Sequence, residues 1–230
     1  MKDFSEFERI TGIEFRDKAI LKQAFIHRSY LNENKEVGLS HNERLEFLGD
    51  AVLELVITDF LYEKYPDKAE GDLTAYRSAL VNASTCASVA MNLSVNDFLL
   101  LSKGESKDTG RARQYILANT LEAIIGAIYL DQKYDAAREF ILKNFSPLID
   151  DIVKMGTWID SKSRFQEKAQ EEEGVTPQYK TIRESGPDHD KKFTVGVFLR
   201  DKLVAQGDGE SKQEAEQKAA AEALQKMGWE

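Results

Sequence analysis

A chain of 230 residues is long enough for one sizeable domain and one small one, and 42% hydrophobic with 31% charged residues argues against disorder. The net charge of −9 and pI near 5.1 give no bulk electrostatic support for nucleic-acid binding. No apolar run approaches the length of a membrane span, MKDFSEFERITG lacks the apolar core of a secretory signal, and the single Cys86 excludes an intramolecular disulfide. The expectation is a cytoplasmic protein with no membrane partner. His27, His41 and His189 are scattered and cannot join one cysteine in a standard zinc site; His27 and His41 read as structural.

Residues 1 to about 150 read as successive helices with apolar periodicity near 3.6, separated by loops at Asn32–Leu39, Pro66–Gly71 and Ser102–Thr109. The first informative helix is HNERLEFLGDAVLEL, residues 41–55. It places Glu43, Glu46 and Asp50 at i, i+3 and i+7, on one stripe that continues through Leu53 and Ile57 toward packed protein. Converging carboxylates that lose hydration repel one another unless a cation or protons neutralise them. A solvated acidic face is the alternative, but Leu45, Leu48, Val52, Leu55 and Val56 leave little of the helix for solvent.

A second apolar helix, ILANTLEAIIGAIYLD (116–131), carries Asn119 and Glu122 as i, i+3 neighbours. Gly126 lies one turn beyond, and Gly49 sits inside the first acidic helix. Interior helical glycine costs about 1 kcal/mol relative to alanine, so the pair points to two backbones in close approach. If the helices cross, Glu46, Asp50, Asn119 and Glu122 offer hard oxygen donors suited to Mg²⁺ or Mn²⁺.

The segment Asp151–Asp160 contains Gly156 and precedes a change of character, so a linker is expected over 151–159, dividing a domain of residues 1–150 from one of 160–229. The second part predicts a helix over about 161–173, a strand at Pro177–Glu184, the turn GPDHDKK, and an alternating strand through Phe193, Val195, Val197 and Leu199. A short third strand, Leu203–Gln206, is ended by GDGE. Ser211 and Glu214 then form a capping box that opens a last helix packed through its alanines, Leu224 and Met227. Lys212 stands in the first turn of that helix, where the dipole alone favours an acid; a phosphate partner explains it, and Lys218 extends the contact. From residue 156 onward there are twelve Lys and Arg against fifteen Asp and Glu, so any such contact rests on local placement.

The two acidic helices together resemble those of ribonuclease III. The resemblance extends through FIHRSYLNE (25–33), EGDLTAYRSALV (70–81), TGRARQYILAN (109–119) and the C-terminal part, where the order α-β-β-β-α and SKQEAEQKAAAEAL resemble a double-stranded-RNA-binding domain. It implies an all-α nuclease domain followed by a small α+β RNA-binding domain. It also implies a bacterial-type homodimeric endoribonuclease that cuts duplex RNA to 5′-phosphate products with short 3′ overhangs, in processing ribosomal and other structured RNAs. A cation held by Glu46, Asp50, Asn119 and Glu122 would polarise the scissile phosphate and lower the pKa of a bound water, with Asp50 and Glu122 the most rate-critical carboxylates.

Asn119 departs from the family's usual aspartate. An amide still ligates a hard cation but adds no charge, so a weaker metal site is expected. The alternative is a cleavage-deficient RNA-binding scaffold, and a third reading is a helical interaction domain whose acidic stripe is structural. Glu43 and Glu70 resemble secondary acidic positions near the cleavage centre, Arg111 and Arg113 sit in a glycine-containing loop that could hold phosphates, and Phe47 is the candidate dimer anchor. In the second domain the resemblance places Gln166, Glu167 and His189 at the RNA minor groove. Gln213 stands where the family often has a second basic residue, implying one phosphate contact fewer.

Overall fold

The computed structural model describes residues 2–34, 40–155, 161–186 and 191–229. His189, the tip of the 186–192 turn and positions 156–159 of the expected linker lie outside these. The chain forms two compact units, Met1–Trp158 and Ile159–Glu230.

The first unit is helical: α1 (Phe4–Thr11), α2 (Lys18–Ala24), α3 (Arg28–Glu33), α4 (Glu43–Lys64), α5 (Glu70–Val81), α6 (Ala83–Asn92), α7 (Val95–Phe98), a 3₁₀ turn (Glu105–Lys107) and α8 (Arg111–Met155). Several expected loops are shorter than read from sequence. Asn32 ends within α3, Glu70 and Gly71 already belong to α5, and the 3₁₀ turn occupies the middle of Ser102–Thr109. The second acidic helix starts five residues earlier than its apolar pattern, at Arg111, and runs through Met155 across the first residues of the expected linker.

α8 is two arms joined at Lys133, whose φ of 73° interrupts the helix. The break is anchored to the N-terminal region. Asp131 accepts hydrogen bonds from the Arg16 and Asp17 amides, both at 2.9 Å, and the Gln132 amide donates to the Glu14 carbonyl at 3.0 Å. Between Ile116 and Ile128 the N-terminal arm is sunk in the core. Ile116, Leu117, Ala118, Leu121, Ala123, Ile124, Ile125, Ala127 and Ile128 are all buried, which leaves Asn119 and Glu122 as partly exposed polar positions among them.

α4 crosses this arm backbone to backbone. A Cβ on Gly49 would collide with the Glu122 carbonyl, and one on Gly126 would collide with that of Leu45. Leu45, Val52, Leu53, Val56, Ile57 and Leu61 fill the buried side of α4. The opposite side is more open than expected, because Leu55 is 56% exposed and Phe47 81% exposed.

The second unit is α9 (Ser161–Glu173), the strands β1 (Gln178–Ser185), β2 (Lys192–Leu199) and β3 (Lys202–Gly209), and α10 (Lys212–Met227). The strands pair antiparallel in the order β1-β2-β3. One core joins the sheet to both helices through Phe165, Ala169, Val197, Leu199, Ala205, Ala219, Ala220, Ala223 and Leu224.

The third strand is twice the expected length, and the glycines read as its end lie inside it. Gly207 pairs with Val195 and Gly209 with Phe193. A Cβ at Gly207 would strike the backbone of Ala215 and Ala219, and one at Gly209 would stand 2.6 Å from the Ala215 nitrogen. These glycines let the alanine face of α10 lie directly on the strand, so the signal read as the strand's end is one of close helix–strand packing.

Candidate active site

The rotation of α4 is set at its first turn. Asn42 is buried; its side-chain amide donates to the Ala24 carbonyl at 3.0 Å and its backbone N–H to the Ile26 carbonyl at 2.9 Å. Its own carbonyl accepts from Leu45 and Glu46, both at 2.9 Å. Asn42 therefore fixes which way Glu43 and Glu46 leave the helix. Sequence reasoning passed over it, although asparagine directly before an apolar-periodic run is a helix-start signal. His41 and His27 also serve helix starts: His41 Nδ1 accepts from the Glu43 amide at 3.4 Å, and His27 Nδ1 from the Ser29 amide at 3.3 Å.

The glycine contact brings the acids together. The Asn119 amide of α8 stands beside the Glu46 carboxylate of α4 and favours its charged form. Burial pushes the Glu122 carboxyl up to about 7, reinforced by the negative charges of Asp50 and then Glu46. Glu46 is raised for the same reasons, burial first and then Glu43 and Asp50, with the Asn119 hydrogen bond opposing the rise. Asp50 itself is exposed. Behind them Cys86 is fully buried, and burial with Glu122 and Asp50 nearby pushes its thiol up to about 12, so it is an inert neutral wall.

Two half-buried carboxyls that resist ionisation beside a third acid and an amide make a donor set that a hard divalent cation relieves. Among the described residues, no three acidic, histidine or cysteine side chains are drawn tightly round one point. The three acids stand as electrostatic neighbours, and the remaining donor of the set is the Asn119 amide.

The other candidates separate. Glu43 sits at the rim, 3.8 Å from Arg28 and 3.7 Å from His41. Glu70 lines a hollow with Thr58, Leu61, Tyr62, Leu73, Thr74 and Arg77. Thr58 lies eight residues, about 12 Å, along α4 from Asp50, so within this chain Glu70 is not brought to the acidic cluster. Arg111 and Arg113 are in the first turn of α8, not in a loop. Arg111 is exposed, whereas Arg113 donates to the carbonyls of Asp108 at 3.0 Å and Glu105 at 2.9 Å, so its guanidinium clamps the preceding segment.

In the second unit Gln166 and Glu167 are exposed along α9 beside Ser163, Gln170 and Glu171. The α10 start carries the expected cap, with Ser211 accepting from the Glu214 amide at 3.1 Å, although the Glu214 carboxylate reaches the Glu210 N–H at 2.9 Å instead of that of Ser211. Lys212 is 3.0 Å from Glu184 and its ammonium lies 5.5 Å from the Phe193 ring centre. Lys218 bonds Glu214 at 2.7 Å. Each lysine assigned to phosphate thus also has an acidic partner within the domain.

Comparison with known proteins follows the same division. Residues 17–149 match the family described as Ribonuclease-III-like, and residues 161–227 match the double-stranded RNA binding motif. The chain is 47% identical over 218 residues to Ribonuclease 3 of Protochlamydia amoebophila, covering 94% of this chain and 88% of that protein. It is 42% identical over 230 residues to Ribonuclease 3 of Clostridium perfringens, covering 99% and 96%. The solved nuclease domain of ribonuclease III from Campylobacter jejuni superposes with a TM-score of 0.56 at 40% identity, covering 63% of this chain and 99% of that one.

Proposed function

The chain belongs to the ribonuclease III family and is a ribonuclease III-type endoribonuclease, and we propose that it hydrolyses double-stranded RNA at the acidic cluster where α4 crosses α8. The observation that carries this reading is the grouping of Glu46, Asp50 and Glu122 as electrostatic neighbours, with the Asn119 amide beside Glu46, where Gly49 meets Gly126. Glu46, Asp50, Asn119 and Glu122 would hold Mg²⁺, with Mn²⁺ able to substitute. When bound, the cation supplies charge neutralisation at the scissile phosphate and a water of lowered pKa.

The protein's own residues divide the remaining work. Asp50, exposed at the outer edge, meets the substrate side. Glu122, half-buried and reluctant to ionise, is the group whose charge state responds most strongly to what binds beside it. Asn119, beside Glu46 across the helix contact, favours the charged form of that carboxylate. In the second domain, Gln166 and Glu167 face the minor groove and Lys212 and Lys218 the phosphates, a recognition of duplex shape that needs no net positive charge. His189 belongs to the same proposed set by resemblance.

A homodimer fits the outer side of α4, where Phe47, Leu55 and Tyr62 are 81%, 56% and 74% exposed. The Campylobacter jejuni nuclease domain is described as having a region involved in dimer formation. Two centres facing one duplex would give staggered cuts, leaving 5′ phosphates and short 3′ overhangs. The proposed setting is cytoplasmic processing of ribosomal and other structured RNAs; among the described residues no helix is long and apolar enough to cross a membrane. End-group analysis of the products from a long RNA duplex tests the reaction: 5′ phosphates with recessed 5′ ends support it, and 5′-hydroxyl products sink it.

Asn119 is the one feature that favours the second reading, a duplex-binding scaffold without cleavage. Product formation with Mg²⁺ or Mn²⁺ and none with EDTA removes that reading.

A further inference from the structure

The acids that hold the RNA-facing lysines have no role in the domain's core. Glu184 lies on exposed β1 with its side chain between two ammonium groups, 3.0 Å from Lys212 of α10 and 3.8 Å from Lys191 at the β1–β2 turn. Lys212 is drawn away from the helix end, across β2, with the Phe193 ring beneath it at 5.5 Å. Glu214 combines two tasks: one carboxylate oxygen accepts from the Glu210 amide at 2.9 Å, and the other takes Lys218 at 2.7 Å.

A lysine cannot give its full charge to a phosphate while a carboxylate holds it at hydrogen-bond distance. Exposed ion pairs are individually weak, so these contacts do not lock the lysines. They act instead as a graded competitor whose strength falls with salt.

We propose that Glu184 and Glu214 are affinity-setting residues that compete with duplex phosphate for Lys212 and Lys218, holding RNA binding below what those lysines would otherwise give. The proposal rests on the reading that Lys212 and Lys218 contact RNA. Glu184 carries the argument most cleanly, because Glu214 also serves the helix cap. Both carboxyls are held below their ordinary range by their lysine partners, so both remain charged competitors at neutral pH.

The test is equilibrium binding of the full chain to a short RNA duplex in EDTA, at low and at moderate KCl, for the parent, Glu184→Gln, Lys212→Ala and the double variant. Glu184→Gln is expected to tighten binding by about threefold at low salt, within the range of an exposed pair. The gain should shrink as KCl rises and vanish in the Lys212→Ala background. Glu214→Gln keeps an oxygen for the cap and should behave in the same direction through Lys218. If Lys212→Ala weakens binding but Glu184→Gln leaves it unchanged or weaker, Glu184 is a brace and not a competitor, and the proposal is overturned. A gain that persists undiminished without Lys212 overturns it too, since Glu184 then repels RNA directly. Lys212→Ala binding at parent affinity refutes the underlying assignment of that lysine to RNA.

Discussion

Gly49 of α4 and Gly126 of α8 lie against each other's helix backbone, so closely that a Cβ on either would enter a carbonyl of the opposite helix. The acidic cluster exists because of this contact: Glu46 and Asp50 flank Gly49, and Glu122 stands one turn before Gly126. Gly49→Ala or Gly126→Ala should therefore destabilise the first unit by about 3 kcal/mol or more, since neither neighbour is a flexible side chain that can give way. Gly71→Ala, where the added methyl meets nothing within 4 Å, should be neutral or slightly stabilising. Urea unfolding followed by near-ultraviolet circular dichroism checks both, and equal effects at Gly49 and Gly71 would refute the contact.

Glu122 predicts a pH dependence of stability. Its folded-state pKa of about 7 lies above the ordinary 4.5. Stability gained from its protonation is fully present below about 4.5 and is lost as pH rises through about 7. In EDTA, Glu122→Gln should melt a few degrees higher than the parent at pH 8, and the difference should disappear toward pH 4.5. A constant difference at all pH values would mean that the carboxyl is not strained by its neighbours.

Much of this site was legible because its signals are local. The i, i+3, i+7 acids, the i, i+3 pair of Asn119 and Glu122, and the two interior glycines are each visible within one helix, and crossing the helices assembles them. What was not legible depends on partners far away in sequence. Arg111 and Arg113 read as loop residues because the apolar pattern begins only at Ile116, yet the helix starts at Arg111 and Arg113 binds carbonyls behind it. Gly207 and Gly209 read as the end of a strand because glycine's usual local meaning is conformational freedom, whereas here it is the absence of a side chain beneath α10. Glu184, 28 residues before Lys212, gave no spacing signal at all.

Asn119→Asp should act with opposite signs on the two states of the site. It replaces the amide that favours the charged form of Glu46 with a further negative charge, so in EDTA the variant should melt below the parent. With Mg²⁺ the added carboxylate should tighten cation binding, lowering the concentration for half-maximal cleavage by about tenfold, equivalent to about 1.4 kcal/mol. Mn²⁺ should narrow the gap. Identical melting in EDTA and identical Mg²⁺ titrations would place Asn119 outside the metal site.

The exposed side of α4 predicts a dimer. Sedimentation equilibrium should give a mass near twice 26.0 kDa without RNA. Phe47→Asp, which places a charge on a residue 81% exposed in the single chain, should yield monomers that retain their helical circular dichroism. A parent protein that is monomeric at micromolar concentration would remove the shared-duplex arrangement.

The most direct measurement compares cleavage and binding of one long RNA duplex by the parent and by Glu122→Gln, each with Mg²⁺ and with EDTA. The parent should cut only with Mg²⁺. Glu122→Gln should bind the duplex nearly as tightly as the parent in EDTA yet cut at least about a hundredfold more slowly with Mg²⁺, as expected for loss of a group acting on the transition state. Cleavage by Glu122→Gln at the parent rate, or cleavage by the parent in EDTA, would contradict the assignment of a metal-dependent centre to the crossing of α4 and α8.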